Sequence, residues 1–369
     1  MSAPRYKWQP TTADIAKAAG IPVEDVIRFD HNTSPFATDW VAGLVVDPAC
    51  HLNEYPGADY RPIREAAARY SGTTPDQVTV GAGVDELLLL VGRAFLRPGA
   101  VSVMVTPTYP LYRISSFQTG ATVVELPAGG PDLAFPIAEI TAAARNADVT
   151  WLCVPDNPTG ARIDDGAVAA VIDAAASGND GIVVIDAAYA EFSGDDWSSW
   201  IDRYPKVIAL HTLSKGFGLA GIRVGFALGH RDLVGAIDAV RPPGSIGNLS
   251  VELAVAALDN PERMRLAVVA VAEARHRLGE ELTRIGLRVL PSAANFLLCE
   301  VGPEARTLGE RLMDQGLVVR MYPEDGPLGT FLRFTVRSPD ENARLVTAIE
   351  RLGIQRLGIQ RPGIERSLP

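Results

Sequence analysis

Short apolar runs recur along the first two thirds of the chain, separated by longer stretches in which apolar residues return every three or four positions. The runs at 78–80, 101–105, 121–126, 150–154, 182–185, 207–210 and 224–228 read as buried strands. Between them, the stretch opened by Pro62 places Ile63, Ala66, Ala67 and Tyr70 on one helical face. Residues 87–95 and 136–145 also read as helices. Strand and helix in regular alternation predict a parallel sheet covered on both faces. Before this block lie a short helix at 12–19, a connection to about residue 27 and turns at 29–36 and 53–60.

After it the pattern changes. Residues 251–258 and the long stretch 261–285 read as helices that lead into a second, smaller α/β unit. That unit contains short extended segments at 288–290, 292–298, 317–320 and 329–336, and helices at 305–315 and 339–352. The expected division is a large domain at 37–258, a small domain from 1–36 and 259–352, and a loose tail at 353–369. The tail is a near-repeat of five residues with Gly in each unit and no helical period.

Composition narrows the function. With 369 residues, 47% hydrophobic and 21% charged, the chain is globular and long enough for a large core or two linked ones. A net charge of −10 without a basic cluster argues against a nucleic-acid or anionic-lipid partner. Cys50, Cys153 and Cys299 are odd in number and far apart, and no Cys-x-x-Cys suggests zinc, so neither a disulfide framework nor a metal is expected. Residues 1–20 lack the apolar core of a signal peptide, and no apolar run reaches membrane-spanning length. The expected location is the reducing cytoplasm.

The chemistry gathers at 211–226, His-Thr-Leu-Ser-Lys-Gly-Phe-Gly-Leu-Ala-Gly-Ile-Arg-Val-Gly-Phe, between two buried strands. A partly desolvated Lys215 has a lowered pKa and suits Schiff-base chemistry, while Ser214 and Arg223 can hold a phosphate. A lysine beside a phosphate site suggests pyridoxal 5'-phosphate (PLP); the plain alternative is a glycine-rich loop with a solvated lysine. Residues 81–86, Gly-Ala-Gly-Val-Asp-Glu, join a strand to a helix start, an anion site in which Asp85 is the natural N-cap. Tyr109 follows a strand end and either stacks on a flat ring or belongs to the core. Asp186 follows Ile-Val-Val-Ile, so it is nearly buried. It calls for a cationic partner such as a pyridinium N–H, or it caps a helix. Asn157 and Tyr189 lie at strand ends and can reach a ring hydroxyl. Asn32 sits in a turn that either faces substrate or is only a turn. Tyr55 is a surface aromatic or reaches a ligand across a subunit boundary.

In order, Tyr55-Pro56, Gly83-Val-Asp-Glu86, Pro107-Thr-Tyr109, Asn157-Pro-Thr-Gly160, Asp186-Ala-Ala-Tyr189, Ser214-Lys215 and Arg223 resemble fold type I PLP enzymes. Among them the chain is most similar to the histidinol-phosphate aminotransferase branch of the class I/II aminotransferases, from about residue 32 to 352. The resemblance implies a large domain with a mostly parallel sheet flanked by helices, and a smaller α/β domain. It implies that Lys215 bonds the cofactor and shuttles the substrate proton, that Asp186 pairs with the ring nitrogen, and that Tyr189 and Asn157 bind the ring oxygen. Tyr109 stacks on the ring, and Ser214, Arg223 and the backbone at Val84 and Asp85 hold the phosphate. Tyr55 serves the neighbouring subunit of a homodimer. Arg333, in an apolar strand, takes the substrate's acidic group. Arg320 matches a second anion-binding arginine, or is a surface strand-end residue.

The implied reaction moves an amino group from an amino acid or amino-alcohol phosphate to a 2-oxo acid such as 2-oxoglutarate. The alternative is a lyase or cyclase of the same lineage, such as a threonine-phosphate decarboxylase-like enzyme. A ligand-sensing regulator is disfavoured, because the region before Asn32 is short and not basic. Departures from the family pattern are Thr33-Ser34 where Glu-Asn is usual, Ala187 for Glu, Asp156 for Asn, Val84 for a small or hydroxyl residue, and glycine in the 241–247 loop. Several of these are expected to face substrate.

Overall fold

The structure is a computed structural model that describes residues 9–36, 43 and 52–353. Cys50, most of 37–51 and the tail from 354 onward lie outside the described residues. The first strand, β1 (Ile27–Phe29), is followed by β2 (Val78–Gly81), β3 (Val101–Thr106), β4 (Thr122–Pro127), β5 (Val149–Cys153), β6 (Ile182–Asp186), β7 (Val207–Thr212) and β8 (Gly225–Gly229). Strands β2 to β8 form one seven-stranded sheet in the order β2-β8-β7-β6-β5-β3-β4. The pairs β3/β4, β3/β5, β5/β6 and β6/β7 are parallel. β8 alone runs the other way, antiparallel to both β7 and β2. The cause is local: the β7–β8 connection contains only a short 3₁₀ turn, Ala220–Ile222, and a strand that returns without a crossover helix pairs antiparallel.

Successive side chains of a strand point to opposite faces. In β6, Val183 and Ile185 join the core on one side, while Ile182 and Val184 join the core on the other. The sheet is thus covered on both sides, as the apolar runs predicted. The helices Pro110–Gln118, Asp165–Ser177 and Arg231–Val240 add to those expected. The helices expected at 12–19 and 339–352 have those bounds because both ends are marked. Thr11 and Ser338 make capping boxes with Asp14 and Glu341, and Gly20 and Gly353 close the ends in the left-handed conformation.

A second sheet contains β9 (Arg288–Val289), β10 (Phe296–Glu300) and β12 (Phe331–Thr335), antiparallel in the order β12-β10-β9. The short β11 (Leu317–Val319) pairs in parallel with β1, where the sequence suggested only a connection. Three residues are too few to show a period, and their pairing partner is almost 300 positions away. Phe29, Leu282, Phe296, Phe334 and Ile349 meet in this unit's core, beneath the 24-residue helix Pro261–Arg284. Among the described residues, no helix is long and apolar enough to cross a membrane.

Candidate active site

The carboxyl ends of β5, β6 and β7 open on a deep cavity of about 270 Å³. Its lining includes Asn157, Asp186, Tyr189, Ser214 and Lys215. Strand β6 carries Asp186 to its last position, where the carboxylate is almost sealed from solvent. Oδ1 accepts from the Ala188 amide at 3.1 Å, and Oδ2 accepts from the Tyr112 hydroxyl at 2.6 Å. Burial pushes this carboxyl up to about 6, against the opposing pull of the Tyr112 hydrogen bond. Asp186 does not cap a helix; the short helix that follows, Ala190–Ser193, has Tyr189 as its N-cap residue.

Lys215 follows β7 in the connection that was predicted to present it. Its amine donates to the His31 carbonyl at 3.0 Å and lies 6.0 Å from the centre of the Tyr189 ring. Burial, helped by the charge of Arg333, pushes the ammonium down to about 8, so a neutral amine is accessible near physiological pH.

The glycine turn after β2 differs from expectation in one respect. The N-cap of helix Val84–Phe95 is Gly83, at φ +80°, and Asp85 lies one residue inside. With no side chain at the cap, the turn can pass close under Arg223. A Cβ on Gly83 would stand 2.7 Å from Arg223 Nη2. The Asp85 carboxylate instead accepts from the Tyr109 hydroxyl at 2.8 Å and from Arg223 Nη2 at 3.1 Å. Val84, Asp85, Tyr109, Ser214 and Arg223 all line the deep cavity, so the helix amides, a hydroxyl and a guanidinium converge there.

A larger cavity of about 690 Å³ continues outward and shares Lys215, Tyr109, Asn157 and Tyr189 with the first. Arg320 and Arg333 both line it. They face each other in a bridge with reciprocal backbone hydrogen bonds of 3.1 Å, so their side chains leave the same face of the sheet. Arg333 is only 7% exposed. It donates from Nη1 to Asn157 Oδ1 at 2.5 Å and from Nη2 to the Asp30 carbonyl at 2.8 Å, and its Nε is buried without a partner. Neither arginine has a carboxylate partner among the described residues. Arg28, in the same cavity, is committed to Asp30 through two contacts of 2.7 and 2.8 Å.

Asn32 is more constrained than a plain turn residue. It is buried at φ 53°. Its Nδ2 donates to the Tyr189 hydroxyl at 2.9 Å, and its carbonyl accepts from Asn295 at 3.0 Å. Tyr55 is 95% exposed and lines neither cavity. Of the departures, Thr33 and Val84 line the deep cavity. Ala187 is wholly buried in the core, Asp156 is buried and accepts from the Thr159 hydroxyl at 2.6 Å, and the 241–247 loop lines neither cavity. The sequence reading overlooked His31, Tyr112 and Tyr322, all at or beside the site. Tyr112 had a usable signal, since Pro110 starts a helix that places residues 109 and 112 on one face.

Over residues 31–349 the chain matches the family model for aminotransferase class I and II. It is 34% identical to a histidinol-phosphate aminotransferase of Caldanaerobacter subterraneus subsp. tengcongensis, over 88% of this chain and 92% of that protein. It is 31% identical to the enzyme of that name from Roseiflexus castenholzii, over 92% of each. The crystal structure of histidinol-phosphate aminotransferase from Sinorhizobium meliloti in complex with pyridoxal-5'-phosphate superposes with a TM-score of 0.85 at 28% identity, covering 95% of this chain and 96% of that one. The matched span takes in every strand from β2 to β12, and the chain belongs to the class I and II aminotransferase family.

Proposed function

We propose that the chain is a PLP-dependent aminotransferase that moves an amino group between an amine bearing an acidic group and a 2-oxo acid such as 2-oxoglutarate. The donor class is an amino acid or an amino-alcohol phosphate of the histidinol-phosphate kind. One observation carries this reading. The Lys215 amine, the buried Asp186 carboxylate and the Gly83–Arg223 cradle border a single cavity. The residues fit the cofactor: Asp186 has no cationic hydrogen-bond partner of its own among the described residues, and the cradle offers donors where a phosphate needs them.

Bound there, PLP supplies an electron sink for negative charge at the substrate's Cα. The protein does the rest. Asp186 holds a proton on the ring nitrogen, because a buried carboxylate favours a cationic neighbour. Tyr189 and Asn157 hydrogen-bond the ring oxygen, and Tyr109 stacks on the ring. Ser214, Arg223 and the amides of Val84 and Asp85 hold the phosphate. Lys215, its amine made available by burial, anchors the cofactor and carries the proton to and from the substrate. Arg333 and Arg320, in the outer cavity, receive the substrate's acidic group, and Asn32, which lines the same cavity, holds the Tyr189 hydroxyl.

The exposed ring of Tyr55 supports a homodimer in which it completes the neighbouring site. The two sheets support a large unit at 37–258 and a small one from 1–36 and 259–352. Three widely spaced cysteines and no membrane-spanning helix among the described residues favour the cytoplasm. The test is a single-turnover absorbance scan of PLP-loaded protein mixed in turn with histidinol phosphate, glutamate, aromatic amino acids, arginine and threonine phosphate. A visible band lost with one donor and restored by a 2-oxo acid supports transamination and identifies the donor. Turnover that leaves the band in place and needs no oxo acid would replace this reading with a lyase.

A further inference from the structure

The residue that donates to Asp186, Tyr112, is also held at its backbone by a buried hydrogen-bond chain. Tyr112 is fully buried on helix Pro110–Gln118. Its ring lies flat against Trp151 on β5, with centres 5.5 Å apart and planes within 9°. It also meets the Tyr109 ring in a T-shaped contact with centres 6.0 Å apart. The Tyr112 carbonyl accepts from Ser116 Oγ at 2.8 Å, Ser116 Oγ pairs with Ser102 Oγ at 2.7 Å, and Ser102 Oγ accepts from Trp151 Nε1 at 2.9 Å. A hydroxyl has one proton to give. Ser116 spends its proton on the carbonyl, so Ser102 must donate to Ser116, and Trp151 to Ser102. Every donor in this chain has one direction and one acceptor, which fixes the helix against β3 and β5. The Tyr112 hydroxyl stands apart from it and meets the Asp186 carboxylate, to which it donates, and the Cys153 thiol.

Stacking on Trp151 alone would be served as well by phenylalanine. A buried hydroxyl is retained at a cost unless it is paired, and here its partner is the carboxylate itself. We propose that Tyr112 is a positioning residue for Asp186: it pins Oδ2, gives the carboxylate one orientation, and moderates its hold on the proton of the cofactor's ring nitrogen. The inference rests on the reading of Asp186 as the partner of that nitrogen. The other groups that face Asp186 are Cys153 at the end of β5, Lys215 after β7, Asp85 on helix Val84–Phe95, and Tyr189. Lys215 favours the ionised carboxylate and Asp85 opposes it, and a change at Tyr112 alters neither charge.

The experiment is a pH titration of the visible absorbance band in PLP-loaded protein, unsubstituted and Tyr112→Phe, with thermal stability measured alongside. A hydrogen bond to a carboxylate favours its charged form, so removing the bond strengthens the hold of Asp186 on the shared proton. With that proton drawn away, the ring withdraws less charge and the midpoint of the band rises, by about one pH unit for a charge-assisted bond. A lower melting temperature with an unmoved midpoint would mean that Tyr112 only packs, and would overturn the proposal. Ser116→Ala keeps the hydroxyl but removes the tether on the Tyr112 carbonyl. It should move the midpoint the same way by a smaller amount, and it decides the matter if Tyr112→Phe does not fold. An unmoved midpoint in Ser116→Ala would then overturn the proposal. No visible band in the unsubstituted protein would remove the cofactor reading itself and this proposal with it; a normal band there with an unmoved midpoint in the variants removes this proposal alone.

Discussion

Replacing Gly83 by alanine tests the cofactor cradle more directly than replacing any charged residue. The residue stands at φ +80° and ψ 171°, a region occupied almost only by glycine, where an L side chain is strained by about 1–3 kcal/mol. Its new Cβ would lie 2.7 Å from Arg223 Nη2, closer than real contacts allow. The colliding atom is the tip of a half-exposed side chain rather than backbone. The guanidinium therefore yields, the fold survives, and the melting temperature falls by only a few degrees. What is lost is the placement of Arg223 at the phosphate. A hydrogen bond to a charged group contributes about 1.5–3 kcal/mol, and each 1.4 kcal/mol is about tenfold in affinity. PLP binding to Gly83→Ala should thus weaken about tenfold to a hundredfold. The assay is a titration of apoprotein with PLP and, in parallel, with pyridoxal, which has the same ring and aldehyde but no phosphate. Pyridoxal binding should change by less than about threefold, on the same conversion. Equal losses for both ligands would show that alanine distorts the cavity as a whole, and would refute the assignment of this turn to the phosphate.

Lys215→Ala should bind PLP without developing the visible band and should lose turnover; retained turnover would take Lys215 out of its role. Arg333→Ala removes the donors now shared with Asn157 and the Asp30 carbonyl, and should raise KM for acidic substrates about tenfold to a hundredfold. An unchanged KM for every acidic substrate tried would point to a different clamp. Glu191 packs against Gly216 but lines neither cavity. Its Oε2 is sealed from solvent without a partner, and burial pushes its carboxyl up to about 8. The unfolded chain ionises this group near pH 4.3 and so binds fewer protons than the fold above that pH, and stability falls as the pH rises toward 8. Asp156 and Asp186, both pushed up to about 6, act in the same direction lower down, and His211, pushed down to about 4, acts oppositely below 6.5. Around pH 7 the largest share of the slope belongs to Glu191, before Lys215, pushed down to about 8, acts in the opposite direction, and Glu191→Gln should flatten the slope there in urea unfolding. An undiminished slope would show that Glu191 is ionised in the fold.

Much of this architecture was legible because apolar runs and glycine turns are local signals. All seven strands of the large sheet, the long helix and both capped terminal helices lie within a few residues of where the pattern put them. So do Lys215, Asp186 and Asn157, each placed by the strand that precedes it. Other features depend on distant partners and left no local trace. β8 reverses because of what its connection lacks, and β1 is a strand only because β11 lies beside it. Asp85 looked like a cap, yet glycine outcompeted it where the backbone needed a left-handed turn under Arg223. The Tyr112–Asp186 contact joins residues 74 positions apart, and Arg333 reaches Asn157 across 176. Spacing could suggest that these groups needed partners but not which ones they would find.

The opposed arginines have a thermodynamic consequence. Like charges directly across a strand pair destabilise it, and Arg320 and Arg333 hold their bridge with no carboxylate between them among the described residues. The ligand-free fold thus carries a repulsion at the junction of β11 and β12 that the Asn157 and Asp30 oxygens and the rings of Phe296 and Tyr322 moderate but no carboxylate among the described residues neutralises. If the proposed reading of this pair as the substrate's anion site holds, a bound anion removes the repulsion, and the free energy that selects the substrate also tightens this edge of the small sheet. Recognition and local rigidity at that corner are one equilibrium seen from two sides.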